Sequence, residues 1–337
     1  MTTTVFVTGA GGYIAQHIVK QLLAKGYKVI GSVRSEEKGQ TLQEMVNSPN
    51  FKYVVIPDID SPGTVDKTLK ENPEVSVVLH TASPVFFTSD DVKKDILDPA
   101  VAGTINVLAA IKKYGTNVKK VVYTSSAVAV FPFGTDDKQR KVYTEANFNP
   151  ITEEQGEASP WGAYFAGKTF AEKAVWKFIR DEKPDFDVSF VLPLYVFGPH
   201  AYDVKDKSQL QNYSTEMVNS FLKLKPGDEI PANVSYFVDV RDVAKAHLAA
   251  FENDKAVEQR LLLNTGRFTN ELILRIINSR FPETNVPRGD IAKSDQQLEN
   301  DPWISDTSKT DSLLGFKYIT LEDSITDSVQ QLLSVSG

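Results

Sequence analysis

A tyrosine and a lysine stand four residues apart in the segment AYFAGK, at Tyr164 and Lys168. On a helix this spacing puts both side chains on one face, one turn apart. A phenol has an ordinary pKa of about 10, and nearby positive charge lowers that pKa towards the range of a useful proton donor at neutral pH. The lysine ammonium would supply such charge. The pair therefore indicates proton transfer, although many helices contain a tyrosine and a lysine at this spacing by chance.

A third polar group comes from the segment KKVVYTSSAVAV, a predicted strand that ends in Thr124, Ser125 and Ser126. Ligands of a parallel sheet bind at the carboxyl ends of its strands, so a hydroxyl here could hold a carbonyl oxygen beside Tyr164. The alternative is an ordinary polar strand end or helix cap.

Strands and helices alternate over about the first 200 residues, and these elements must position the three groups. Short runs rich in Val and Ile, without strict alternation, are typical of strands covered on both faces. The pattern predicts right-handed βαβ crossovers and a doubly wound parallel sheet, an α/β fold of the Rossmann type. The predicted strands are 4–8, 28–33, 52–56, 75–80, 118–124 and 187–192, and the predicted helices are 12–25, 36–47, 64–71, 90–113 and 160–182.

The alternation stops after Pro199, which predicts a smaller second α/β domain. Helices are predicted at 208–223 and 269–280, a strand leading into a helix at YFVDVRDVAKAHLAAFE, a strand at QRLLLNTG and a helix pair around SLLGF, whereas 282–303 is rich in Pro and Asp. We expect residues 1–195 to form a Rossmann domain to which about 234–266 returns, and 196–233 with 267–337 to form a smaller domain.

The segment TGAGGYIAQHIVKQLL follows the first predicted strand and opens the first predicted helix. Its spacing matches a dinucleotide fingerprint in the context that such a fingerprint requires. Gly9 would permit the sharp turn, Gly12 would let a pyrophosphate approach the backbone at the helix N-terminus, and Ala15 would keep the helix close to the sheet. A tight turn without a ligand is the alternative interpretation.

The second predicted strand ends in GSVRSEEK, with Arg34 at the turn and Lys38 one helical turn later. An NAD-preferring site typically has an acidic residue here, which holds the ribose hydroxyls. A guanidinium instead suits a 2′-phosphate, with a charge-assisted hydrogen bond of roughly 1.5–3 kcal/mol. The segment therefore predicts NADP(H), unless both cations are ordinary surface charges beside Glu36 and Glu37. We accordingly expect the Rossmann domain of 1–195 to bind NADP and the smaller domain of 196–233 with 267–337 to bind substrate.

Two further strand ends lie where a dinucleotide would pass. PDID places Asp58 and Ile59 after the third strand, where they could bind and cover an adenine, and HTASP places Thr81, Ala82 and Ser83 after the fourth. Taken singly, both could be ordinary loop starts.

The composition narrows the function classes. A net charge of −7 argues against a nucleic-acid partner, and the absence of cysteine excludes disulfides, thiolate nucleophiles and cysteine-ligated zinc. The amino terminus has no signal-peptide pattern, and no stretch approaches the roughly 20 apolar residues of a membrane span, so we expect a cytoplasmic protein without a membrane partner. No metal site is expected, because the four histidines lack a short ligand spacing; they are His17, His80, His200 and His247.

Together these motifs resemble those of the extended short-chain dehydrogenases/reductases. The similarity is strongest to the NADPH-dependent methylglyoxal and 3-methylbutanal reductases of yeast, relatives of the plant dihydroflavonol reductases, and it covers essentially the whole chain. It rests on YIAQHIVKQLL, YKVIGSVRS, LHTASP, TSSA, YFAGKTFAEKAVW, YVFGP, VDVRDVAKAH and LLGFK. The resemblance implies hydride transfer from NADPH to an aldehyde, α-dicarbonyl or ketone.

The resemblance also implies roles for individual residues. Tyr164 would protonate the carbonyl oxygen, Ser126 would orient it, and Lys168 would hold the ribose and lower the tyrosine pKa. The expected cofactor contacts are Gly9, Ala10, Gly11, Gly12, Tyr13, Ile14, Arg34, Lys38, Asp58, Ile59, Thr81, Ala82, Ser83, Thr124, Tyr164, Lys168, Pro193, Val196 and Ser214.

Departures from the family pattern fall where a substrate should bind. Ala127 stands where the relatives usually have an aromatic residue, Leu192 replaces an asparagine, and Trp161 is unexpectedly bulky. Trp161 together with Phe86, Phe131 and Tyr195 suggests an apolar, aromatic pocket and a small hydrophobic carbonyl substrate, although each aromatic side chain could equally be core. The expected pocket residues are Phe86, Ala127, Phe131, Trp161, Leu194 and Tyr195.

Two other functions use the same fold. Nucleotide-sugar epimerases and dehydratases retain NAD, and Arg34 without an acidic partner argues against them. Redox-sensing regulators bind a dinucleotide and a protein partner, but commonly lack the tyrosine–lysine pair that this chain has. The oligomeric state is expected to be monomer or homodimer.

Overall fold

A computed structural model describes residues 2–83, 91–134, 139–204 and 212–335. The strands are β1 (Thr4–Thr8), β2 (Lys28–Val33), β3 (Phe51–Val55), β4 (Val75–His80), β5 (Lys120–Thr124), β6 (Lys141–Tyr143), β7 (Asp187–Pro193), β8 (Tyr195–Phe197), β9 (Val234–Asp239), β10 (Arg260–Leu263), β11 (Gly266–Thr269) and β12 (Trp303–Ser305). The helices are α1 (Tyr13–Ala24), α2 (Glu36–Val46), α3 (Asp66–Glu71), α4 (Asp98–Tyr114), α5 (Glu153–Glu157), α6 (Pro160–Glu182), α7 (Tyr213–Phe221), α8 (Val240–Glu252), α9 (Asn270–Arg280), α10 (Ile291–Asn300), α11 (Ser308–Leu314) and α12 (Leu321–Ser334).

The main sheet has the strand order β10-β7-β5-β4-β1-β2-β3. The pairs from β3 through β2, β1, β4 and β5 to β7 are parallel. All five residues of β1 are buried, as expected for a strand covered on both faces. The predicted doubly wound α/β fold is confirmed. The strand order reverses between β1 and β4, and ligands of such sheets bind at the carboxyl ends of the strands at this point.

The chain divides into two compact units. The first contains Met1–Thr135, Glu145–Leu192 and Ala244–Leu261, and the second contains Asp136–Thr144, Pro193–Val243 and Leu262–Gly337. The assignment of one domain to cofactor and the other to substrate stays a prediction.

The second unit has two small sheets. In one, β9 pairs with β11 antiparallel and with β8 parallel, and in the other β12 pairs with β6 parallel. Its core is aromatic and aliphatic, with Phe197, Phe237, Phe268, Ile273 and Ile325 almost inaccessible to solvent.

Some elements differ from the sequence prediction. The helix expected at 90–113 contains a π-helical turn, Lys93–Leu97, before α4 begins at Asp98. Pro99 lies in the first turn of α4 and has no N–H to donate, which explains a change of hydrogen-bonding pattern there. The Pro- and Asp-rich stretch contains α10, whose first turn is capped by the Asp290 side chain.

Candidate active site

Tyr164 and Lys168 lie on α6, as their spacing predicts. The helix begins cleanly because the Ser159 side chain accepts a hydrogen bond of 3.0 Å from the Gly162 N–H and Pro160 occupies the first turn. Small residues follow on the buried face, and a Cβ added at Gly167 would come within 3.4 Å of the Ala100 Cβ of α4. Close packing of α6 on α4 therefore fixes the helix that carries both side chains.

Ser126 meets Tyr164 at the end of β5. The Ser126 hydroxyl accepts a hydrogen bond of 3.3 Å from the Val128 N–H and so caps a 3₁₀ turn, while a second hydrogen bond joins it to the Tyr164 hydroxyl. Burial raises the pKa of the Tyr164 phenol, and the hydrogen bond from Ser126 acts in the opposite direction. The sequence predicts that Lys168 counteracts this rise, whereas here the counteracting effect comes from Ser126. Tyr164 is protonated at neutral pH.

Lys168 is a buried cation, only 7% exposed. Its Nζ donates a hydrogen bond of 3.4 Å to the backbone oxygen of Thr124, at the end of β5. Burial lowers the pKa of Lys168 to about 8, and the negative charge of Glu172 acts in the opposite direction. The predicted serine, tyrosine and lysine are therefore brought together in the first unit.

The glycine segment forms a turn between β1 and α1. Gly9 has φ +66°, and a Cβ there would come within 3.1 Å of the Ala82 Cα, so both conformation and space favour glycine. Gly11 faces open space. Gly12 precedes α1 and supplies no capping side chain, unlike Ser35 before α2, and helix N-termini favour anions. This cradle fits a dinucleotide pyrophosphate. Ala10 and Ala15 are buried, whereas Tyr13 and Ile14 are half-buried.

Arg34 directly follows β2, Lys38 lies in the first turn of α2, and both are exposed. Ser35 between them caps α2 by accepting a hydrogen bond from the Lys38 N–H, so the Lys38 backbone is fixed and its ammonium extends into solvent. Hydrogen bonds from Ser61 and from the Asp60 N–H lower the pKa of Asp58, and the charge of Arg34 acts in the same direction. Asp58 is exposed and Ile59 half-buried.

Thr8 and His80 hold the turn after β4, and neither was predicted as a site residue. The Thr8 hydroxyl accepts hydrogen bonds of 3.1 Å from the N–H groups of Thr81 and Ala82, and it pairs with the His80 Nδ1 at 2.8 Å. A hydroxyl that accepts two N–H groups donates its own proton to Nδ1, which places the His80 proton on Nε2. Burial lowers the pKa of His80 to about 3, with a further contribution from the Lys168 charge. Thr8 is the first residue of the segment TGAGGYIAQHIVKQLL, and His80 is the first residue of HTASP.

The predicted pocket residues of the first unit differ in exposure. Trp161 is 39% exposed, and its ring stands perpendicular to that of Tyr164 with centroids 6.4 Å apart. Ala127 and Phe131 are buried at 0% and 2% exposure, in the core below the end of β5. Phe86 and its predicted contact lie outside the described residues.

The remaining predicted site residues belong to the second unit. Pro193, Val196 and Ser214 are buried there, whereas Leu194 and Tyr195 are half-buried. The Tyr195 ring packs edge-on against Phe268 at 5.2 Å. Within the described residues, no helix is long and apolar enough to cross a membrane.

The chain is similar to known proteins over most of its length. The family model of the NAD dependent epimerase/dehydratase family matches residues 5–266, a span that contains the glycine turn, Ser126, Tyr164 and Lys168. The chain belongs to this family. The predicted resemblance to short-chain dehydrogenases/reductases is thereby confirmed.

Within this epimerase/dehydratase family, the chain is 47% identical to a putative NADPH-dependent methylglyoxal reductase from Candida albicans, over 98% of this chain and 99% of the relative. It is 41% identical to the NADPH-dependent methylglyoxal reductase of Saccharomyces cerevisiae, over 99% of both chains. The crystal structure of Gre2 from Candida albicans in complex with NADPH matches with a TM-score of 0.95 and 43% identity, over 99% of this chain and 100% of that one.

Proposed function

We propose that this protein is an NADPH-dependent carbonyl reductase. Hydride adds to the carbonyl carbon of an aldehyde, α-dicarbonyl or ketone, the C=O π bond breaks, and Tyr164 gives its phenolic proton to the oxygen, so that an alcohol forms. When bound, NADPH would supply the hydride. The observation that carries this proposal is the hydrogen bond between Ser126 and Tyr164, with Lys168 one helical turn further along α6.

The three side chains have separate tasks. The Ser126 hydroxyl accepts the Val128 N–H and is hydrogen-bonded to the Tyr164 hydroxyl, so a carbonyl oxygen that enters beside Tyr164 would take over the Ser126 proton. The raised pKa of Tyr164 keeps its proton in place until negative charge develops on that oxygen. Lys168 would bind ribose hydroxyls, and its ammonium would stabilise the phenolate left after proton transfer.

The first unit would hold the dinucleotide along the carboxyl edge of its sheet. The turn from Gly9 to Gly12 and the first N–H groups of α1 would bind the pyrophosphate, and Arg34 with Lys38 would bind the 2′-phosphate. The absence of a side chain at Gly11 leaves that approach open. NADPH is also named as the cofactor of similar reductases, which supports the assignment.

The substrate is inferred to be a small carbonyl compound with an apolar substituent. The exposed face of Trp161 beside Tyr164 supports this, since an indole ring binds apolar groups at low cost in conformational entropy. The relatives are named for methylglyoxal and isovaleraldehyde, which are both small carbonyl compounds.

A panel of aldehydes, α-dicarbonyls and aryl ketones tests the proposal when NADPH and NADH are supplied side by side. We expect net oxidation of NADPH with several simple carbonyls and much slower oxidation of NADH. An epimerase would convert a nucleotide sugar without net consumption of the cofactor, and a dinucleotide sensor would bind NADPH without turnover. Either result, in place of carbonyl reduction, would overturn the assignment.

A further inference from the structure

We propose that Glu172 is a positioning residue for the reductase site, acting on Ser126 and Lys168 through the hydrogen bonds and the charge of its buried carboxylate. This inference rests on the proposed function. Tyr164, Lys168 and Glu172 follow one another at intervals of four residues along α6, so all three lie on one face of the helix.

Both oxygens of the Glu172 carboxylate are bound. Oε2 accepts a hydrogen bond of 2.5 Å from the Ser125 hydroxyl, and Oε1 accepts hydrogen bonds of 2.5 Å from the Arg260 Nε and 3.3 Å from the Trp176 Nε1. Glu172 is 0% exposed. Burying a carboxylate costs desolvation free energy, and here the hydrogen bonds to both of its oxygens offset that cost.

The bond to Ser125 fixes the direction of its neighbour. Ser125 is tied to Glu172 by its hydroxyl and to the Val191 oxygen by its N–H, at 2.9 Å, so the backbone is held immediately before Ser126. From this fixed point, the extended φ of −156° and ψ of 152° of Ser126 set where its hydroxyl lies beside Tyr164. Glu172 thus acts on a hydroxyl that it does not touch.

Arg260, the partner of Glu172, fixes the chain that follows Ser126. Its guanidinium donates hydrogen bonds to three backbone oxygens, those of Glu145 at 2.7 Å, Ala129 at 3.3 Å and Asn147. Ala129 ends the 3₁₀ turn that Ser126 caps. The ion pair therefore holds both sides of Ser126, the residue before it and the turn after it.

The same carboxylate influences the charge of Lys168. Burial favours the neutral amine, and Glu172 favours the ammonium, which is the form needed to bind ribose and stabilise a phenolate. Among the described residues, Tyr164 and His80 of β4 also face Lys168. Tyr164 is neutral near pH 7 because burial raises its pKa, and His80 is kept neutral by burial. His247 of α8 pairs with the Thr124 hydroxyl at 2.7 Å, on the residue whose oxygen accepts from Lys168.

The test is the pH profile of kcat/KM for wild type and Glu172→Gln. Loss of the charge lowers the Lys168 pKa, so we expect the alkaline limb to move to lower pH; a fall of one unit from about 8 cuts the protonated fraction at pH 8 about fivefold. Glu172→Asp keeps the charge, and its alkaline limb should lie closer to that of wild type. The matched control is Glu182→Gln, which removes an exposed carboxylate at the end of the same helix and should leave the limb in place.

Ser125→Ala separates the two effects. It removes the hydrogen bond and keeps the carboxylate, so we expect a lower kcat with the alkaline limb where wild type has it. If Glu172→Gln does not fold, Glu172→Gln with Arg260→Gln removes both buried charges together and should shift the limb in the same direction.

An unchanged limb in both charge-removing variants, with activity reduced only in proportion to the folded fraction, would show that Glu172 is purely structural and overturn the inference. If wild type reduces no carbonyl compound with NADPH, the proposed function itself fails, and the inference fails with it. The two failures are distinguished by the activity of wild type.

Discussion

The hydroxyl groups of Ser126 and Tyr164 share a hydrogen bond, although one residue follows a strand and the other lies in the first turns of a helix. The first is fixed by the Val128 N–H and the second by the packing of α6. A carbonyl oxygen that enters between the two hydroxyl groups would meet the Ser126 hydroxyl already oriented as a donor. It would also meet the Tyr164 phenol, which still holds its proton. Catalysis would then need little rearrangement of the site.

Tyr164→Phe removes the proton donor and keeps the ring. We expect kcat/KM for carbonyl reduction to fall about 100- to 10,000-fold, the usual contribution of a positioned general acid, while NADPH binding changes little. Steady-state kinetics and quenching of protein fluorescence by NADPH provide the two measurements. Tyr27→Phe is the control, because that hydroxyl binds Glu252 at a distant exposed site. Near-normal turnover by Tyr164→Phe would remove Tyr164 from the mechanism.

Affinity for NADPH should depend on the protonation of Lys168. The folded-state pKa of about 8 means that the ammonium is present below that pH and is lost as the pH rises through it. An ammonium attracts an anionic dinucleotide and an amine does not, so the Kd for NADPH should rise above about pH 8. A titration of NADPH at a series of pH values gives the midpoint. Lys168→Met should bind NADPH weakly at every pH, and a variant that kept the wild-type pH dependence would contradict this assignment.

Arg34→Ser should reduce the preference for NADPH over NADH. A charge-assisted bond of roughly 1.5–3 kcal/mol corresponds to tenfold or more, so kcat/KM with NADPH should fall by about that factor. With NADH, which has no 2′-phosphate, it should change little. Lys38→Gln should lower kcat/KM with NADPH less, because the Arg34 guanidinium is still present. The Lys38 N–H still donates to the Ser35 hydroxyl in this variant, so α2 keeps its cap. Equal use of NADH and NADPH by wild type would refute the role of Arg34.

The sequence predicts the main sheet and the candidate catalytic groups because both leave local signals. Runs such as TVFVT form fully buried strands, and Tyr164 and Lys168 are tied together by helical spacing. Interactions set by the fold leave no such signal: Glu172 and Arg260 are 88 positions apart and meet only once β10 lies in the sheet. Strands of three residues, such as β6 and β12, are too short for periodicity to show.

His80 should make the protein sensitive to acid. Its pKa is about 3 in the folded protein and about 6.5 in the unfolded chain, so between these values the unfolded state binds a proton that the folded state does not. Stability therefore falls as the pH drops through this window, by up to about 1.4 kcal/mol per pH unit from this group. His80→Asn preserves an acceptor for Thr8 and does not titrate. Urea unfolding near neutral pH and at about pH 4.5 should show a smaller loss for the variant, whereas equal losses would exclude His80 as the cause.

Trp161 should select substrates by the size of their apolar substituent. Its ring is 39% exposed and meets Tyr164 edge-on, so a substituent on the carbonyl carbon would pack against the indole face. Trp161→Val removes most of this surface and should raise KM for aryl ketones about tenfold or more, with a much smaller change for methylglyoxal, whose only apolar group is one methyl. Ile291→Ala is a suitable control, because Ile291 is also an exposed apolar residue but lies at the start of α10. Equal changes in KM for large and small carbonyls would indicate that Trp161 shapes the helix and does not contact substrate.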